Sequence, residues 1–259
     1  MPPCLSIQHL SIQFQTPSGI IQAVDDVSLD IAAGEALGVV GESGCGKSTL
    51  AQAILRLIPS PPGYITHGKI LFEGNDLLTL SLDDLRAIRG KDISMVFQDP
   101  MTALSPLCRI GNQLAETLRL HSRVSKKDAL RHAAEWLEKV GIPATPDHLQ
   151  SYPHQFSGGM QQRVMIASAL MHHPKLIIAD EPTTALDVTT QLQILNLMHD
   201  IKGSDASLLL ISHDLGVIRK MCSRVAVMYQ GKIVECATTG EIFSRPQHEY
   251  TKRLLAARR

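Results

Sequence analysis

The chain has 259 residues, and 44% of them are hydrophobic, which is enough to build a packed core. Its 25 basic residues balance 25 acidic ones, so we expect no general electrostatic attraction to DNA, RNA or an anionic membrane. The five cysteines indicate neither a zinc site nor a disulfide framework, which fits a reducing cytosol, and no stretch has the roughly 18 uninterrupted apolar residues of a membrane span.

The first predicted elements are strands followed by a glycine-rich loop. Apolar and polar residues alternate in LSIQHLSIQF and IIQAVDDVSLDI, whereas EALGVV is a short apolar run typical of a buried parallel strand. A helix is predicted from Lys47 to about Leu57, before the prolines of PSPPG. The local order is therefore strand, glycine loop and helix.

Strands and helices alternate in the rest of the chain. GKILFEG and DISMVFQ are predicted strands, and IGNQLAETLRLH and KKDALRHAAEWLEKVG have helical spacing, the second ending at Gly141. Ser157 is predicted to cap a helix that runs to about His172, and the strands KLIIAD and SLLLIS flank the helical TTQLQILNLMHDI. This order predicts an α/β fold whose parallel-sheet core is interrupted by a helical insertion at about residues 100–165.

The glycine loop has the pattern of a phosphate-binding site. Residues 41–48 match G-x-x-x-x-G-K-[ST], with a strand before and a helix after. Glycines let backbone amides converge on an anion, and the helix N-terminus adds about half a positive charge. Lys47 is expected to reach the β- and γ-phosphates, and the Ser48 hydroxyl to coordinate Mg²⁺. The nucleotide-binding residues predicted here are Gly41, Glu42, Ser43, Gly44, Cys45, Gly46, Lys47, Ser48 and Thr49.

Two acids form a second candidate site. Asp180 and Glu181 follow one another at the end of the predicted strand LIIAD, the edge where ligands collect in parallel α/β sheets. Asp180 is expected to hold the hydration shell of Mg²⁺, and Glu181 to orient or deprotonate the attacking water. In isolation such a pair is more typical of a solvated turn or a helix cap. In the same chain as a phosphate loop, it favours a site of nucleotide hydrolysis.

Further segments resemble the motifs of ABC-type ATPases and occur in the order of that family. FSGGMQQR is similar to the signature sequence, Gln98 in VFQDP to the Q-loop, Asp187 in ALD to the D-loop and His213 in LISHD to the switch histidine. The resemblance covers essentially the whole chain. It implies a single ABC ATPase domain over residues 1–259, with a P-loop NTPase core, an antiparallel β subdomain and an inserted helical subdomain.

The resemblance also implies what these motifs do. In the family, two ATPase subunits face each other head to tail, and the signature of one, here Ser157, Gly158 and Gly159, closes over the γ-phosphate held by the other. Gln98 would reach Mg²⁺ or the lytic water and couple the site to the helical subdomain. His213 would donate a hydrogen bond to the γ-phosphate in the transition state. For the signature, an ordinary helix start is the alternative interpretation.

Two further nucleotide-binding residues come from the same resemblance. Phe14 is the candidate for the aromatic side chain that stacks on adenine, because the family places one on an early strand or loop. A phenylalanine of the core is the alternative. Asp187 of the D-loop is assigned to the ATP site with the signature residues.

FQDPMTALSP, ADEPTTALDV and HEYTKRLLAA are similar to the oligopeptide, dipeptide and nickel importer branch. Met160 suits this branch, and Gln161 stands where the branch often has arginine. The resemblance implies an ATPase with ATP and Mg²⁺, peripheral on the cytoplasmic face of the membrane. Its partners would be membrane permease subunits, a second ATPase subunit in a heterodimer or a homodimer and, indirectly, a solute-binding protein, but no nucleic acid. The chain ends without the cysteine-rich extension of many oligopeptide ATPases, which favours a dipeptide, nickel or metal-chelate importer.

Two other classes of protein are the alternatives. A soluble ABC ATPase that acts on nucleic acid or ribosomes usually has two cassettes, a long coiled-coil insertion or basic patches, whereas this sequence has one cassette and no net charge. A P-loop kinase for a small molecule would leave SGGMQ and His213 without a role.

Overall fold

The computed structural model describes residues 3–183, 188–203 and 205–257. The strands are β1 (Leu5–Thr16), β2 (Gly19–Ile31), β3 (Ala36–Val40), β4 (Gly63–Phe72), β5 (Asn75–Asp76), β6 (Ile93–Val96), β7 (Leu176–Asp180), β8 (Ser207–Ile211), β9 (Arg224–Tyr229) and β10 (Lys232–Thr238). The helices are α1 (Lys47–Ile54), α2 (Leu82–Ile88), α3 (Pro100–Ala103), α4 (Ile110–His121), α5 (Lys126–Lys139), α6 (Pro146–Gln150), α7 (Gly158–Leu170), α8 (Val188–Lys202), α9 (Leu215–Met221), α10 (Thr239–Ser244) and α11 (Glu249–Ala256). The fold is α/β with an antiparallel sheet and inserted helices, as predicted.

The chain divides into two compact units. The first contains residues 3–86 and 205–257, and the second contains residues 87–183 and 188–203. Within these described ranges, no helix has both the length and the apolar composition needed to cross a bilayer.

The antiparallel sheet of the first unit has the strand order β2-β1-β4-β5. Ile7, Leu10 and Ile12 of β1 are all buried, although a regular strand would point Ile7 and Leu10 to opposite faces. A bulge resolves this conflict: the pairing register shifts between Ile7 and Leu10, and His9 has a φ of 50°. Gly68 lies opposite the bulge, where an added Cβ would be 2.6 Å from the His9 carbonyl oxygen.

A second set of strands in the first unit has the order β10-β9-β3-β8. β3 pairs in parallel with β8 and with β9, and its residues from Leu37 to Val40 are buried, as expected of a strand covered on both faces. Because β3 and β8 are parallel, the glycine loop after Val40 and the segment after Ile211 leave the sheet at the same edge. Ser212 donates its backbone N–H to the Val39 oxygen at 3.3 Å across this edge.

Helix α1 ends earlier than its sequence predicts. The helix was expected to reach about Leu57, but it ends at Ile54. Arg56 has a left-handed φ of 49°, and its guanidinium donates to the Leu80 carbonyl oxygen at 2.7 Å. Since a left-handed residue cannot continue an α-helix, this tertiary contact ends the helix before the prolines do.

The carboxyl-terminal elements of the first unit were not predicted from sequence patterns. β9 and β10 form a hairpin in which Tyr229 pairs with Lys232. The two residues between them, Gln230 and Gly231, have φ of 46° and 81°, which is typical of the tight type I′ turn. Helices α10 and α11 follow the hairpin.

The second unit contains two parallel strands and most of the helices. β6 and β7 pair in parallel, with Val96 opposite Ala179, and all their residues are buried. Helices α3 to α7 follow one another between these strands along the chain. Ser125 caps the start of α5. Gly141 follows the end of the helix with a φ of 76°, as predicted. Trp136 of α5 is only 2% exposed and forms part of the core of this unit.

His121, at the end of α4 in the second unit, is a partly buried histidine beside a second histidine. Its ring lies edge-on to His172 with centroids 5.1 Å apart. Burial lowers the pKa of His121, as do the charges of His172 and Lys91, while a hydrogen bond to the Arg89 backbone and the charge of Asp92 act in the opposite direction.

We therefore expect the protein to lose stability as the pH falls below about 6.5, the pKa of histidine in an unfolded chain. The unfolded state then binds a proton that His121 of the folded state excludes, and the free energy of unfolding decreases. Thermal unfolding midpoints of the wild type and His121→Gln between pH 8 and 5.5 test this. The wild type should lose more stability on acidification than the variant, and equal losses would contradict the prediction.

Candidate functional site

The predicted phosphate loop connects β3 to α1 in the first unit. Two of its glycines touch other backbone segments so closely that no side chain fits. A Cβ added to Gly41 would lie 2.2 Å from the Met228 oxygen, and one added to Gly46 would lie 2.2 Å from the Ala23 oxygen. Gly46 also has a left-handed φ of 107°. Glycine at these positions is therefore required for the loop to pack between β2 and β9.

The opposite side of the loop is open. A Cβ added to Gly44, at φ 79°, would meet no heavy atom within 4 Å. Glu42, Ser43 and Gly44 are exposed, whereas Ser48 and Thr49 are half-buried in the first turn of α1. At Gly44 the loop thus exposes backbone without a side chain, which suits an anion-binding loop.

Lys47 lies inside the loop with only 5% of its surface exposed. Its ammonium donates hydrogen bonds to the Gly41 oxygen at 3.0 Å and to the Glu42 oxygen at 2.8 Å, and Cys45 Sγ lies 3.7 Å away. A buried ammonium is tolerable because these acceptors surround it. The sulfur is the weakest of these acceptors. A phosphate oxygen could therefore take its place beside the ammonium with the smallest loss of hydrogen-bond energy.

Cys45 is an unreactive neighbour of this charge. Burial raises the pKa of its thiol, and the nearby Lys47 ammonium offsets only part of that effect. The thiol is therefore protonated at neutral pH and is not a nucleophile.

His213 follows β8, next to the strand that leads into the phosphate loop. The ring is exposed, and the residue stands two positions after the end of the strand. Asp214, beside it in the LISHD segment, caps α9 by accepting hydrogen bonds from the amides of Gly216 at 2.8 Å and Val217 at 3.2 Å. The aspartate thus defines where the helix begins and leaves His213 at the sheet edge.

Phe14 lies near the end of β1 and is half-buried. In the sheet, Phe14 pairs with Ile21 of β2 and with Gly63 of β4. Ile21 is 53% exposed. A Cβ on Gly63 would lie 2.9 Å from the Phe14 ring, so the glycine makes room for that ring. Phe14 is therefore not a fully buried core residue, and a partly exposed aromatic ring here suits stacking on a base.

The two acids and the Q-loop glutamine lie in the second unit, at the ends of β6 and β7. Asp180 is the last residue of β7 and is 5% exposed. Glu181 follows with a φ of 46°, a strained value for a residue other than glycine. The Gln98 Nε2 atom lies 3.4 Å from Glu181 Oε2. The structure thus brings together Gln98 and the predicted catalytic base.

The signature residues begin α7, also in the second unit. Ser157 Oγ accepts a hydrogen bond from the Met160 amide at 3.3 Å, so Ser157 caps the helix as predicted. Ser157 and Gly158 are exposed, and a Cβ on Gly158 would meet no heavy atom within 4 Å. The remaining D-loop candidate, Asp187, lies outside the described residues.

Two buried glutamines that follow the signature have structural roles that sequence reasoning missed. Gln161 donates through Nε2 to the carbonyl oxygens of Pro153 at 2.9 Å and Phe156 at 3.0 Å, which holds the turn before Ser157. Gln162 donates to the carbonyl oxygen of Pro182, directly after Glu181. Their only sequence signal is a pair of adjacent amide side chains between Met160 and Arg163, which does not distinguish buried glutamines from exposed ones.

The predicted site residues therefore form one group in each unit. The phosphate loop, His213 and Phe14 belong to the first unit, and Asp180, Glu181, Gln98 and the signature belong to the second. In the part of the chain that the structure describes, no group of three or more histidine, cysteine, aspartate or glutamate side chains is placed to hold a metal ion.

Comparison with known proteins gives the same family by three routes. Residues 24–184 match the family model described as ABC transporter. The chain is 53% identical to the oligopeptide transport ATP-binding protein OppD of Bacillus subtilis, with 98% of this chain and 71% of the relative covered. It is 52% identical to the dipeptide transport ATP-binding protein DppD of the same organism, with 99% and 77% covered.

A solved structure resembles the whole fold. The ATP-binding cassette MJ0796, solved as a dimer in a post-hydrolysis state bound to ADP and Pi, superposes with a TM-score of 0.80 at 28% identity. The superposition covers 91% of this chain and 98% of that cassette.

Proposed function

The chain belongs to the ABC transporter family, and on that premise we propose that it is the ATP-hydrolysing subunit of a peptide importer. The observation that carries this proposal is the identity of more than half of its residues, over almost the entire chain, to an oligopeptide transport ATP-binding protein. A nearly equal identity to a dipeptide transport ATP-binding protein supports peptides as the class of cargo. Both relatives are transport proteins, which favours a transporter over an ABC ATPase that acts on nucleic acid or ribosomes.

The first unit binds the phosphates of ATP. The open side of the loop at Gly44 and the buried ammonium of Lys47 support this role, because together they offer amide donors and a positive charge to the β- and γ-phosphates. Phe14 offers its partly exposed ring to the adenine, with Ile21 beside it. His213, at the same sheet edge as the loop, donates to the γ-phosphate as negative charge develops there.

The residues proposed for Mg²⁺ suit that ion. The Ser48 hydroxyl, the buried Asp180 carboxylate and the Gln98 amide oxygen are all hard oxygen donors, which Mg²⁺ prefers. When bound, the ion neutralises phosphate charge and orients the reacting group. The proposed Mg²⁺ ligands include only one carboxylate, because phosphate oxygens and water supply the other ligands of this ion. Among the described residues, no larger group of acidic side chains is placed to hold a metal ion.

Glu181 is proposed as the general base. Its contact with the Gln98 amide supports this, because a neutral donor orients the carboxylate without neutralising its charge. The backbone strain at Glu181 also fits a residue held in place for chemistry. The carboxylate would accept the proton of the water that attacks the γ-phosphate.

The working unit is proposed to be a head-to-tail dimer. The start of α7 supports this, because Ser157 and Gly158 are exposed and a Cβ on Gly158 would meet no heavy atom within 4 Å, which leaves room for an anion brought by a second subunit. The similar cassette MJ0796 was solved as a dimer. The second subunit is a different ATPase in a heterodimer or a copy of this chain in a homodimer. Asp187, the D-loop candidate, is proposed to contribute to the shared ATP site.

The segment after Gln98 is proposed to dock on the permease at the cytoplasmic face of the membrane. Two large apolar side chains are exposed there, Met101 at 49% and Leu107 at 86%, and a permease contact would remove their apolar surface from water. The helical subdomain of about residues 100–165, which begins with this segment, would transmit dimer closure to the permease. A solute-binding protein would act only indirectly, by delivering cargo to the permease.

Uptake by cells tests the proposed function. Deleting the gene from its host should abolish uptake of labelled di- or oligopeptides, and the wild-type gene should restore it. Leu107→Glu should fail to restore uptake, with at least about a ten-fold loss, because a buried charge at the permease contact is costly. The purified variant should hydrolyse ATP at the wild-type rate.

The cargo assay includes labelled nickel and a nickel chelate beside the peptides. Loss of nickel uptake with normal peptide uptake would contradict peptides as the cargo while leaving the ATPase assignment intact. Normal uptake of all these solutes in the deletion strain would contradict the importer proposal as a whole.

A further inference from the structure

The phosphate loop is held from outside by the carboxyl-terminal end of the chain. The backbone N–H of Glu42, the second residue of the loop, donates a hydrogen bond to the hydroxyl of Tyr250 at 2.9 Å. The carbonyl oxygen of the same residue accepts the Lys47 ammonium at 2.8 Å. Both polar backbone groups of Glu42 are thus occupied, one by the loop's own lysine and one by α11.

Tyr250 is placed firmly enough to hold the loop. It is 2% exposed, and its ring stacks on Tyr229 with centroids 4.1 Å apart and the planes inclined by 29°. Burial raises the pKa of the Tyr250 phenol above its ordinary value, so the hydroxyl is neutral near pH 7.

The start of α11 is itself anchored to the β9–β10 hairpin. The carboxylate of Glu235 in β10 accepts hydrogen bonds from the backbone amides of Gln247 at 2.8 Å and His248 at 2.9 Å. Burial acts to raise the pKa of Glu235, but the net shift is downward, because the Thr251 side chain and these two amides stabilise the charged form. Tyr250 stands two residues after His248, so its position is determined by the ring stack and by this anchor.

The hairpin turn holds a second point of the loop. The Gly231 amide donates to the Cys45 carbonyl oxygen at 3.1 Å, and the Gly231 oxygen accepts from the Asp25 amide at 2.8 Å. The loop is therefore supported at Glu42 by a side chain and at Cys45 by a turn, both from the last part of the chain.

We propose that Tyr250 is a positioning residue for nucleotide binding: its hydroxyl holds the Glu42 amide so that the loop keeps the shape that receives phosphate. This inference rests on the proposed function. Glycine-rich loops lose much conformational entropy when they become ordered. If the loop is already ordered before nucleotide binds, the entropic cost of binding is smaller and the affinity is higher. Tyr250 touches no phosphate, and its effect acts through the loop backbone.

Tyr250→Phe tests the hydroxyl without removing the ring stack. We expect the full-length variant to bind Mg²⁺–ADP about three- to ten-fold more weakly than the wild type in titration calorimetry, the loss typical of one hydrogen bond. Its thermal unfolding midpoint should change by at most a few degrees. The matched control is Tyr229→Phe, which removes a hydroxyl from the other ring of the same stack and should bind ADP within two-fold of the wild type.

Equal ADP affinity of the wild type and Tyr250→Phe would overturn the inference and leave the proposed function standing. If both variants bound ADP equally weakly, the ring stack and not the Tyr250 hydroxyl would explain the loss of affinity, and the inference would again be overturned. A wild type that binds no ADP at all would instead refute the proposed nucleotide site.

Hydrogen exchange tests the same contact without a nucleotide. In the wild type, the Glu42 amide should exchange slowly although its side chain is exposed, because the Tyr250 hydroxyl accepts that hydrogen. Tyr250→Phe should exchange it at least several-fold faster, and Tyr229→Phe should not. Exchange of this amide in the wild type at the rate of an unstructured chain would overturn the inference whether or not the variants fold.

Discussion

Replacing Glu181 with glutamine is expected to slow ATP hydrolysis by about 10²- to 10⁴-fold, the usual contribution of a general base. The amide keeps the size of the side chain and an oxygen that can face the Gln98 amide, but it cannot accept the proton of the attacking water. Nucleotide should remain bound, because the phosphate loop is unchanged. Phosphate release measures the rate, and size-exclusion chromatography with Mg²⁺–ATP should show the variant accumulating as an ATP-bound dimer.

The control for this experiment is Glu138→Gln, an exposed glutamate of α5 in the same unit. It makes the same chemical change away from the predicted base and should leave turnover within about two-fold of the wild type. Unchanged turnover of Glu181→Gln would remove Glu181 from the mechanism. Slow turnover without a trapped dimer would keep Glu181 as the base and contradict the head-to-tail arrangement.

Replacing Lys47 with alanine is expected to weaken Mg²⁺–ATP binding by about 100-fold or more. The variant loses charge-assisted hydrogen bonds to the phosphates, each of which is worth roughly 1.5–3 kcal/mol. It also loses the bonds that Lys47 makes to the Gly41 and Glu42 oxygens, so the loop itself is less ordered. Equilibrium titration with ATP measures the affinity, and thermal unfolding shows whether the variant is folded.

Lys69→Ala is the matched control for the lysine. Lys69 is an exposed residue of β4 in the same unit, so its removal changes the net charge by the same amount without touching the loop. Its affinity for ATP should stay within about two-fold of the wild type. Tight ATP binding by the Lys47 variant would mean that the loop does not bind phosphate.

The candidate site could be predicted from the sequence because its residues lie in short segments. The phosphate loop occupies residues 41–48, and its strand and helix lie directly before and after it. Ser157 is recognisable as a helix cap from its neighbours alone. The family follows from the order of such segments, and the comparisons confirm it.

Some local details escaped prediction because distant contacts override local preference. The bulge at His9 depends on the strand paired with it, and α1 ends early because Arg56 reaches the Leu80 oxygen. Gln161 differs from the residue common in its branch, yet only the structure shows that it holds the turn before the signature. Periodicity reports which residues are buried, and it carries no information on partners far along the chain.

The sequence by itself determined the class of protein and supplied the candidates for the phosphate loop, the base and the metal ligands, since each depends on residue types a few positions apart. Only the tertiary structure decided which residues support that loop. Tyr250 stands 208 positions from Glu42, in helix α11, whose residues carry no sequence signal of phosphate binding. A hydrogen bond between backbone and side chain depends on where the fold places the two groups, and that placement follows from the packing of α11 against the β9–β10 hairpin.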